Sequence, residues 1–372
     1  MKIYRNENVL EAALERIRWI YDEFPNVVVS MSGGKDSTVV FELCRIVARE
    51  KGRLPLRVFW LDQECEFAST VDYMRYVMYE PDVEPWWFQI PFREQNATSA
   101  ESQWLHAWGE GEEWVREKDP ISRKENIYGV DRFVRLMEAI VAHEFAGTPT
   151  AALTGVRAEE SPTRFMSSTS QATYKWVTWG NRVKESEGHY NFHPIYDWRY
   201  LDVWKAIHDY GWRYNAHYDA MHRYGVPVRK MRVSNYHHET AVHALFMLQE
   251  IEPETWEAAT RRLPGLATAG SLGKDDYFVY ELPFMFKDWE EYRDYLLEHL
   301  LSEERYKERF RKKFASMAER YPHDVGPQLW KTQINSILAN DIEMTKLQNW
   351  EAVHFTTKRL ADREGYREQV EQ

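Results

Sequence analysis

The sequence predicts an α/β fold, in which a parallel five-stranded sheet has helices on both faces and is followed by a mostly helical C-terminal region. Two observations predict it. Up to about residue 210, short apolar runs alternate with longer amphipathic segments, which is the pattern of parallel strands joined by helices. Beyond residue 236 the apolar residues follow helical spacing alone.

The individual elements follow from local spacing. The first strand is the β-branched run Val27-Val28-Val29, which suits a strand buried on both faces. In chain order the predicted elements are a helix at 7–23, a strand at 27–29, a helix at 37–50, a strand at 56–61, a helix at 68–79, a strand at 86–90, a helix at 131–145, a strand at 150–155 and a helix at 201–210.

Three parts are expected along the chain. The first domain spans 1–235 and carries an insertion at about 91–130, where the regular pattern is lost. We expect the insertion to contain short helices and to be exposed to solvent, and a lid with a direct catalytic role is the alternative. A helical region follows at 236–355, and 356–372 form a polar tail. Helical spacing within that region recurs at 241–248, 289–301 and 334–347, with a loop at 265–273.

Composition excludes several classes of protein. The 372 residues allow one large domain or two, and either can bury a sizeable core. The formal charge of -11 argues against a chain that is basic throughout and coats nucleic acid, although a local basic patch passes that test. Most of the 16 Trp and 22 Tyr residues are expected in the core.

Cys44 and Cys65 are the only cysteines. Two cysteines cannot supply the four ligands of an iron–sulfur cluster or a four-cysteine zinc site, so neither an iron–sulfur cluster nor structural zinc is expected. They do not resemble a secreted disulfide framework either. The first residues lack the apolar core of a signal peptide, and no apolar run is long enough to span a bilayer. We therefore expect a soluble, cytoplasmic protein with no membrane partner.

The stretch after the first strand predicts a phosphate site. Gly33 and Gly34 allow positive φ angles and place no Cβ between an anion and the backbone amides. The helix that follows directs its first N–H groups to the same point. We therefore expect this loop to hold a phosphate, a bare Gly-Gly turn being the alternative.

The run Ser32-Gly33-Gly34-Lys35-Asp36-Ser37 resembles the Ser-Gly-Gly-x-Asp-Ser signature of the PP-loop ATP pyrophosphatase superfamily. Three more stretches resemble its phosphoadenosine phosphosulfate (PAPS) reductase-like branch, and these are Leu61-Asp62-Gln63-Glu64-Cys65-Glu66-Phe67, Thr154-Gly155-Val156-Arg157 with Ser161 and Arg164, and Pro194-Ile195-Tyr196-Asp197-Trp198 with Asp202, Val203 and Trp204. Within that branch the chain is similar to the immunoglobulin-binding regulator A type, whose members often have a ParB-like partner protein.

This resemblance implies an adenine nucleotide alpha-hydrolase-like fold, ATP or PAPS as the nucleotide, and Mg²⁺. It also implies that Lys35, Asp36 and Arg157 are catalytic, with Asp36 either fixing the loop or meeting Mg²⁺. The residues implied to bind the nucleotide are Ser32, Gly33, Gly34, Ser37, Thr38, Asp62, Gly155 and Arg164. Helix capping is the alternative role for Asp62, and plain salt bridges are the alternative for the two arginines.

The chain departs from the branch at the residue that performs the chemistry. PAPS reductases carry a late cysteine that attacks sulfur, and here no cysteine follows Cys65. A basic segment stands in its place, containing Arg223, Arg229, Lys230 and Arg232. We expect this segment to bind an anionic acceptor, a nucleotide phosphate or a DNA backbone, and a solvated loop paired with local acids is the alternative. The histidines that follow lack a recognised metal spacing: His237, His238 and His243.

Three functions are consistent with these features. The first is a transferase that cleaves ATP between the α and β phosphates and adenylates an acceptor. The second is a sulfonucleotide reductase that borrows a thiol and needs an external reductant. The third is a nucleotide-sensing regulator with a protein or DNA partner. The complete loop favours chemistry over binding alone, and the missing cysteine favours the first function over the second.

Overall fold

The computed structural model describes residues 6–99, 103–169, 172–183, 187–233, 235–237, 245–267, 281–301 and 303–354. They divide into two compact units. The first unit contains the described residues of Met1–Arg93 and His106–Ser234, and the second those of Glu94–Leu105 and Asn235–Gln372. Part of the predicted insertion, Glu94–Leu105, therefore belongs with the C-terminal residues.

The first part of the chain alternates helices and strands as the sequence predicts. Its helices are α1 Val9–Glu23, α2 Lys35–Glu50, α3 Ala68–Met78, α4 Phe133–Glu144, α5 Pro162–Thr169, α6 Tyr200–Tyr210 and α7 His217–Arg223. Its strands are β1 Asn26–Ser30, β2 Leu56–Leu61, β3 Val83–Phe88, β4 Phe92–Gln95, β5 Trp104–Ala107, β6 Thr150–Leu153, β7 Gly180–Arg182 and β8 His189–Phe192.

The main sheet has the strand order β3-β2-β1-β6-β8-β7. The first five of these strands are parallel, which confirms the predicted sheet. The sixth, β7, runs antiparallel to β8 at the edge. The sequence does not predict β7, because its three residues, Gly-Asn-Arg, carry neither an apolar run nor an alternating pattern.

One apolar core lies around the central strands of this sheet. Val28 and Val29 of β1 are fully buried, as expected for a parallel strand with neighbours on both sides. The apolar stripe of α2 enters the same core, with Val39, Leu43 and Val47 fully buried. This core fixes the start of α2 directly beyond the end of β1.

The prediction of short helices in the insertion is wrong. The described residues between 91 and 132 contain β4, β5 and turns, and β4 pairs with β5 in a separate two-stranded sheet. In β5 the buried residues Leu105 and Ala107 alternate with less buried neighbours, which is the period of a strand and not of a helix.

The described C-terminal residues are mostly helical, as predicted. Their helices are α8 Leu245–Ile251, α9 Pro253–Arg262, α10 Trp289–His299, α11 Glu304–Arg320 and α12 Pro327–Leu338, with a further helical run at 345–354. A second apolar cluster holds α10 to α12 together, and it includes Leu297, Phe310, Phe314 and Ile334.

The single helix predicted at 334–347 is wrong, because the chain turns between Leu338 and Thr345. Asn340 and Met344 both have positive φ angles, which a continuous helix does not allow. The buried carboxylate of Asp341 accepts hydrogen bonds from the Thr345 and Lys346 amides and so caps the next helical run. Residues 241–244, most of the predicted loop at 265–273 and the tail at 356–372 lie outside the described residues.

Candidate functional site

The predicted phosphate loop lies where the direction of the sheet changes. From β1 the chain runs outward to β2 and β3, and β6 then lies on the other side of β1. Ligands of open α/β sheets bind outside the carboxyl ends of the strands at such a switch point. The loops that leave β1 and β6, residues 31–34 and 154–157, therefore form the candidate site.

The loop after β1 has the backbone shape that its glycines predict. Gly33 has a φ of +69°, and a Cβ built on it would lie 2.7 Å from Thr70 Cγ2. Gly34 is the N-cap residue of α2. Ser37 Oγ donates to the Gly34 carbonyl at 2.9 Å and accepts from the Ser32 amide at 3.3 Å. Thr38 Oγ1 also donates to the Gly34 carbonyl, at 2.9 Å, so both hydroxyls hold the loop in shape.

Two residues near α7 support the loop, and sequence reasoning missed both. The Lys35 amide donates to Tyr218 Oη at 3.1 Å. Asn215 Nδ2 donates to the Gly33 carbonyl at 3.1 Å and to Thr70 Oγ1 at 2.9 Å. No motif marks these side chains, because they act on backbone groups far away in the sequence.

Charged groups from both loops converge on Asp36. Lys35 Nζ lies 2.8 Å from Asp36 Oδ2, and Arg157 Nε donates to Asp36 Oδ1. Lys35 and Arg157 are both buried, at 5% and 4% exposure. Burial lowers the pKa of Lys35 from its ordinary value, Asp36 opposes that shift, and the charges of Arg157 and Arg232 add to it. The structure thus joins the three residues expected to be catalytic at the positive end of α2.

Gly155 lets the second loop approach the first. A Cβ built on Gly155 would lie 2.7 Å from the carbonyl carbon of Asp36 and 2.7 Å from the Ser37 nitrogen. Only a residue without a side chain allows this separation between β6 and the first turn of α2. Gly155 therefore acts through close backbone packing, which is one reason for glycine at such a position.

Arg164 joins the same charged group through Glu160. It forms an ion pair with Glu160, and Arg157 lies 3.3 Å from both Glu159 and Glu160. Both arginines therefore form salt bridges, which is the alternative role expected for them from the sequence. For Arg157 it coexists with the contact to Asp36.

Asp62 lies at the carboxyl end of β2 and is completely buried. Its carboxylate accepts hydrogen bonds from the side chains of Trp87, Gln89 and Arg116 and from the Glu64 amide. Four donors from the protein occupy its two oxygens. Through Arg116 the Asp62 carboxylate contacts the insertion, and a role beside the nucleotide stays an expectation.

His193 was also missed by sequence reasoning. It follows β8, and its Nδ1 lies 2.7 Å from Thr154 Oγ1, beside Gly155. Its Nε2 lies 3.4 Å from Asn181 Oδ1. Burial, and then the positive charge of Arg164, lowers its pKa from 6.5 to about 4, so the imidazole is neutral at neutral pH and joins the ends of β6, β7 and β8.

The basic segment divides into an inner and an outer part. Arg232 is close enough to Lys35 and Tyr218 to act on both electrostatically. The guanidinium of Arg229 lies 5.6 Å from the ring of Tyr200. Arg223 Nε donates to the Asp219 carbonyl at 3.3 Å, and Lys230 is exposed. Of the four cations, Arg232 is thus the one that the structure associates with the phosphate loop.

The described residues do not fit a Mg²⁺ ion held by the protein. Both oxygens of Asp36 already contact cations, Lys35 at one and Arg157 at the other. Within the part of the chain that the structure describes, no group of three or more His, Cys, Asp or Glu side chains is placed to hold a metal ion. Mg²⁺ commonly binds substrate phosphates and keeps several waters, so an ion of the kind that the resemblance implies would be held mainly by a phosphate ligand.

Of the three late histidines that lack a recognised metal spacing, His237 alone is among the described residues. His237 lies in the second unit, where its Nε2 is 3.0 Å from Glu94 Oε1 and both side chains are buried. His238 and His243 lie outside the described residues.

Cys44 and Cys65 are both fully buried, and burial raises the pKa of the Cys44 thiol. In the described ranges no helix combines the length and hydropathy that crossing a membrane would require.

Comparisons with known proteins agree with this architecture. The model of the phosphoadenosine phosphosulfate reductase domain matches residues 26–225, and a domain of unknown function, DUF3440, matches residues 225–371. The uncharacterized protein YbdN of Escherichia coli K12 is 28% identical over 354 residues, which are 90% of this chain and 85% of that protein.

Two solved structures show limited similarity. The phosphate complex of phosphoadenylyl-sulfate (PAPS) reductase from Candida auris has a TM-score of 0.34 and 16% identity, covering 61% of this chain and 89% of that one. FMN adenylyltransferase from Candida glabrata, with FMN and an ATP analogue, has a TM-score of 0.37 and 11% identity, covering 59% and 64%.

Proposed function

Because the chain belongs to the phosphoadenosine phosphosulfate reductase domain family, we propose that it cleaves ATP between the α and β phosphates and transfers the adenylyl group to an acceptor. Family membership supports use of an adenine nucleotide, and the chemistry at α2 supports this particular reaction. The acceptor attacks the α phosphorus through an oxygen, the bond from that phosphorus to the β-phosphate oxygen breaks, and pyrophosphate leaves. The acceptor hydroxyl releases one proton to solvent.

A single observation carries the proposal. Lys35 and Arg157 reach Asp36 from two neighbouring strand ends, at the N-terminus of α2 and at the switch point of the sheet. A helix N-terminus with two buried cations is a strong site for a polyphosphate. Asp36 holds both cations in place before the nucleotide arrives, and this preorganisation favours catalysis.

The two cations have complementary roles in this proposal. Negative charge builds up on the leaving pyrophosphate as the bond from the α phosphorus breaks. Lys35 has three donors and Arg157 a planar fork, so each can keep its contact to Asp36 and still donate to a phosphate oxygen. Positioning of the phosphates and stabilisation of this charge account for catalysis without a protein nucleophile.

The state of the cysteines argues against a reductase that uses its own thiol. A thiol that attacks sulfur must be accessible and deprotonated. Cys65 is fully buried and so is Cys44, which leaves neither in the environment of a reactive cysteine. Transfer of an adenylyl group needs no thiol and no reductant.

The experiment that tests the proposal is product analysis after incubation with Mg²⁺ and α-labelled ATP, with and without cell extract as a source of acceptors. We expect labelled AMP or a labelled adduct, together with pyrophosphate. Release of ADP and inorganic phosphate would contradict cleavage between the α and β phosphates. Saturable ATP binding without turnover would favour the regulator, and turnover of PAPS with an added thiol would favour the reductase.

A further inference from the structure

The segment that follows α6, residues 211–233, has a net charge opposite in sign to that of the whole chain. Residues 211–233 contain five basic side chains, Arg213, Arg223, Arg229, Lys230 and Arg232, and one acidic side chain, Asp219. The complete chain has a formal charge of -11. Such a local excess of positive charge in an acidic protein favours a partner that is negatively charged.

The structure decides between the two interpretations that the sequence left for this segment. Arg223, Arg229, Lys230 and Arg232 are all exposed, and none of them forms an ion pair with another described residue. Glu159 and Glu160, which follow Arg157 in the chain, pair with Arg157 and Arg164 instead. The described residues of this segment therefore do not form a solvated loop whose positive charges are neutralised by nearby acids.

One end of this segment reaches the phosphate site. Arg232 acts electrostatically on Lys35, on Arg164 and on the buried Tyr218. The outer cations Arg223, Arg229 and Lys230 precede Arg232 in the same segment and are exposed on the first unit.

The number of cations indicates more than one phosphate. A nucleotide at α2 already has Lys35, Arg157 and the helix N-terminus, so the outer cations remain for additional anions. Tyr224 is exposed, and Tyr200 lies under the Arg229 guanidinium at 5.6 Å. Exposed cations interleaved with aromatic rings are typical of surfaces that bind single-stranded nucleic acid. A flexible single strand can also bring an acceptor atom to a buried lysine, which a stiff duplex cannot.

We propose that the basic segment, residues 223–232, binds the phosphate backbone of a single-stranded nucleic acid and directs it to the phosphate loop as the acceptor. This inference rests on the proposed function for the identity of the acceptor. Binding of the strand does not depend on it, since the exposed cations act without ATP.

The test is fluorescence anisotropy with a labelled single-stranded DNA of mixed sequence, about 20 nucleotides long, titrated without ATP at several salt concentrations. The double variant Arg229→Gln/Lys230→Gln removes two outer cations. The matched control Arg305→Gln/Lys312→Gln removes one exposed arginine and one exposed lysine from α11. Circular dichroism and thermal melting check that both variants are folded.

We expect the wild type to bind, with affinity that falls steeply as salt rises. For single strands each phosphate contact contributes about 0.7 to the steepness with which log K falls against the logarithm of the salt concentration. The double variant lacks two contacts, so its slope should be shallower by about 1.4 and it should bind roughly 20-fold more weakly at ~0.1 M salt. The control variant should match the wild type. The inference is overturned by equal binding of both variants, by equal loss in both, by absence of wild-type binding, or by tighter binding of a duplex of the same sequence.

Parallel product analysis separates this inference from the proposed function. If the wild type cleaves labelled ATP to AMP and pyrophosphate but does not bind the DNA, only the nucleic-acid inference fails. If it binds the DNA through Arg229 and Lys230 but does not cleave ATP, the proposed function fails and the binding surface stands. Radiolabel transferred from α-labelled ATP to the DNA supports both together.

Discussion

A buried lysine is the most informative residue of this chain. Lys35 lies in a Gly-Gly-Lys-Asp sequence, and the structure places its ammonium between Asp36 and the ring of Tyr218. A buried ammonium is costly unless it is paired. Asp36 pairs with both Lys35 and Arg157, and Arg157 also contacts Glu159 and Glu160. The contact with Asp36 therefore supplies the partner that the buried ammonium of Lys35 requires.

The first prediction concerns this lysine. In the proposed reaction Lys35 faces the leaving pyrophosphate, so replacing it with Ala should lower the turnover of ATP by about 100- to 1000-fold. The measurement is the initial rate of pyrophosphate release at saturating ATP. Lys51→Ala, at the other end of α2, is the control and should retain the wild-type rate because Lys51 only pairs with Asp22. A Lys35→Ala protein with normal turnover would exclude the proposed role of the loop.

The second prediction concerns His193 and the pH dependence of stability. Burial and Arg164 lower its pKa to about 4, whereas in the unfolded chain it titrates near 6.5. Between these values the unfolded chain binds more protons, so the free energy of unfolding should fall as the pH drops from about 6.5 to about 4. The contribution of His193 to this loss is roughly 3 kcal/mol.

Urea unfolding across this pH range measures the effect. His193→Gln should make the dependence shallower, because glutamine does not titrate. The groups that face the imidazole, Thr154 and Asn181, are uncharged, and Arg164 keeps its charge throughout. His222→Gln is the exposed control and should retain the wild-type slope. Parallel curves for His193→Gln and the wild type would show that this imidazole is not the group that titrates.

At the scale of the elements, the site depends on how closely β6 approaches α2. The two strands β1 and β6 are paired in register from Asn26 with Thr150 to Val29 with Leu153. Their loops therefore leave the sheet side by side, and Gly155 rests against the backbone of Asp36 and Ser37. Neither loop alone brings together Lys35, Asp36 and Arg157. Strand pairing between segments more than a hundred residues apart assembles them.

The third prediction follows from this contact. Gly155→Ala places a methyl group 2.7 Å from backbone atoms at the start of α2, so the protein should lose about 1–3 kcal/mol of stability, and ATP turnover should fall with it. Gly34→Ala is the comparison, because its methyl group would meet its nearest atoms at 3.4 Å and 3.5 Å, which are ordinary contacts. The midpoints of thermal unfolding test the difference, and equal midpoints for the two variants would refute it.

At the scale of the whole molecule, the division into units does not follow the order of the chain. Glu94–Leu105 belongs to the unit that contains the C-terminal helices. Within that unit Gln95 Nε2 donates to the Asn340 carbonyl, and Trp104 Nε1 donates to Tyr306 Oη at 2.6 Å. Gln95 and Asn340 are buried. These polar groups need their partners, because an unpaired buried polar group is destabilising.

The fourth prediction concerns truncation. A fragment of residues 1–234 retains Glu94–Leu105 but lacks every C-terminal partner of that segment, so we expect the segment to be exposed in the fragment. Limited chymotrypsin digestion followed by mass spectrometry should show rapid cleavage at Trp104 or Leu105 in the fragment and slow cleavage there in the full chain. The same cleavage rate in both proteins would mean that the C-terminal residues do not protect the segment.

Local patterns in the sequence were sufficient for the regular elements. The valine run, the Gly-Gly turn and the helical spacing after it predicted β1, the phosphate loop and α2, because their physical causes lie within a few neighbouring residues. The same spacing failed at β7, in the insertion and at residues 334–347. In those places short polar strands or left-handed residues, which leave a weak local signal, decide the structure.

The arrangement of the site depends on contacts that no local pattern contains. Gly33, Lys35 and Asp36 are recognisable from their own neighbours in the sequence. That Arg157 reaches Asp36, that Tyr218 and Asn215 hold the loop, and that four donors surround Asp62 depend on which strands pair and which helices pack against them. The burial of a side chain and the shift of its pKa depend on all the surrounding groups at once. They therefore appear only when distant segments have come together in the folded chain.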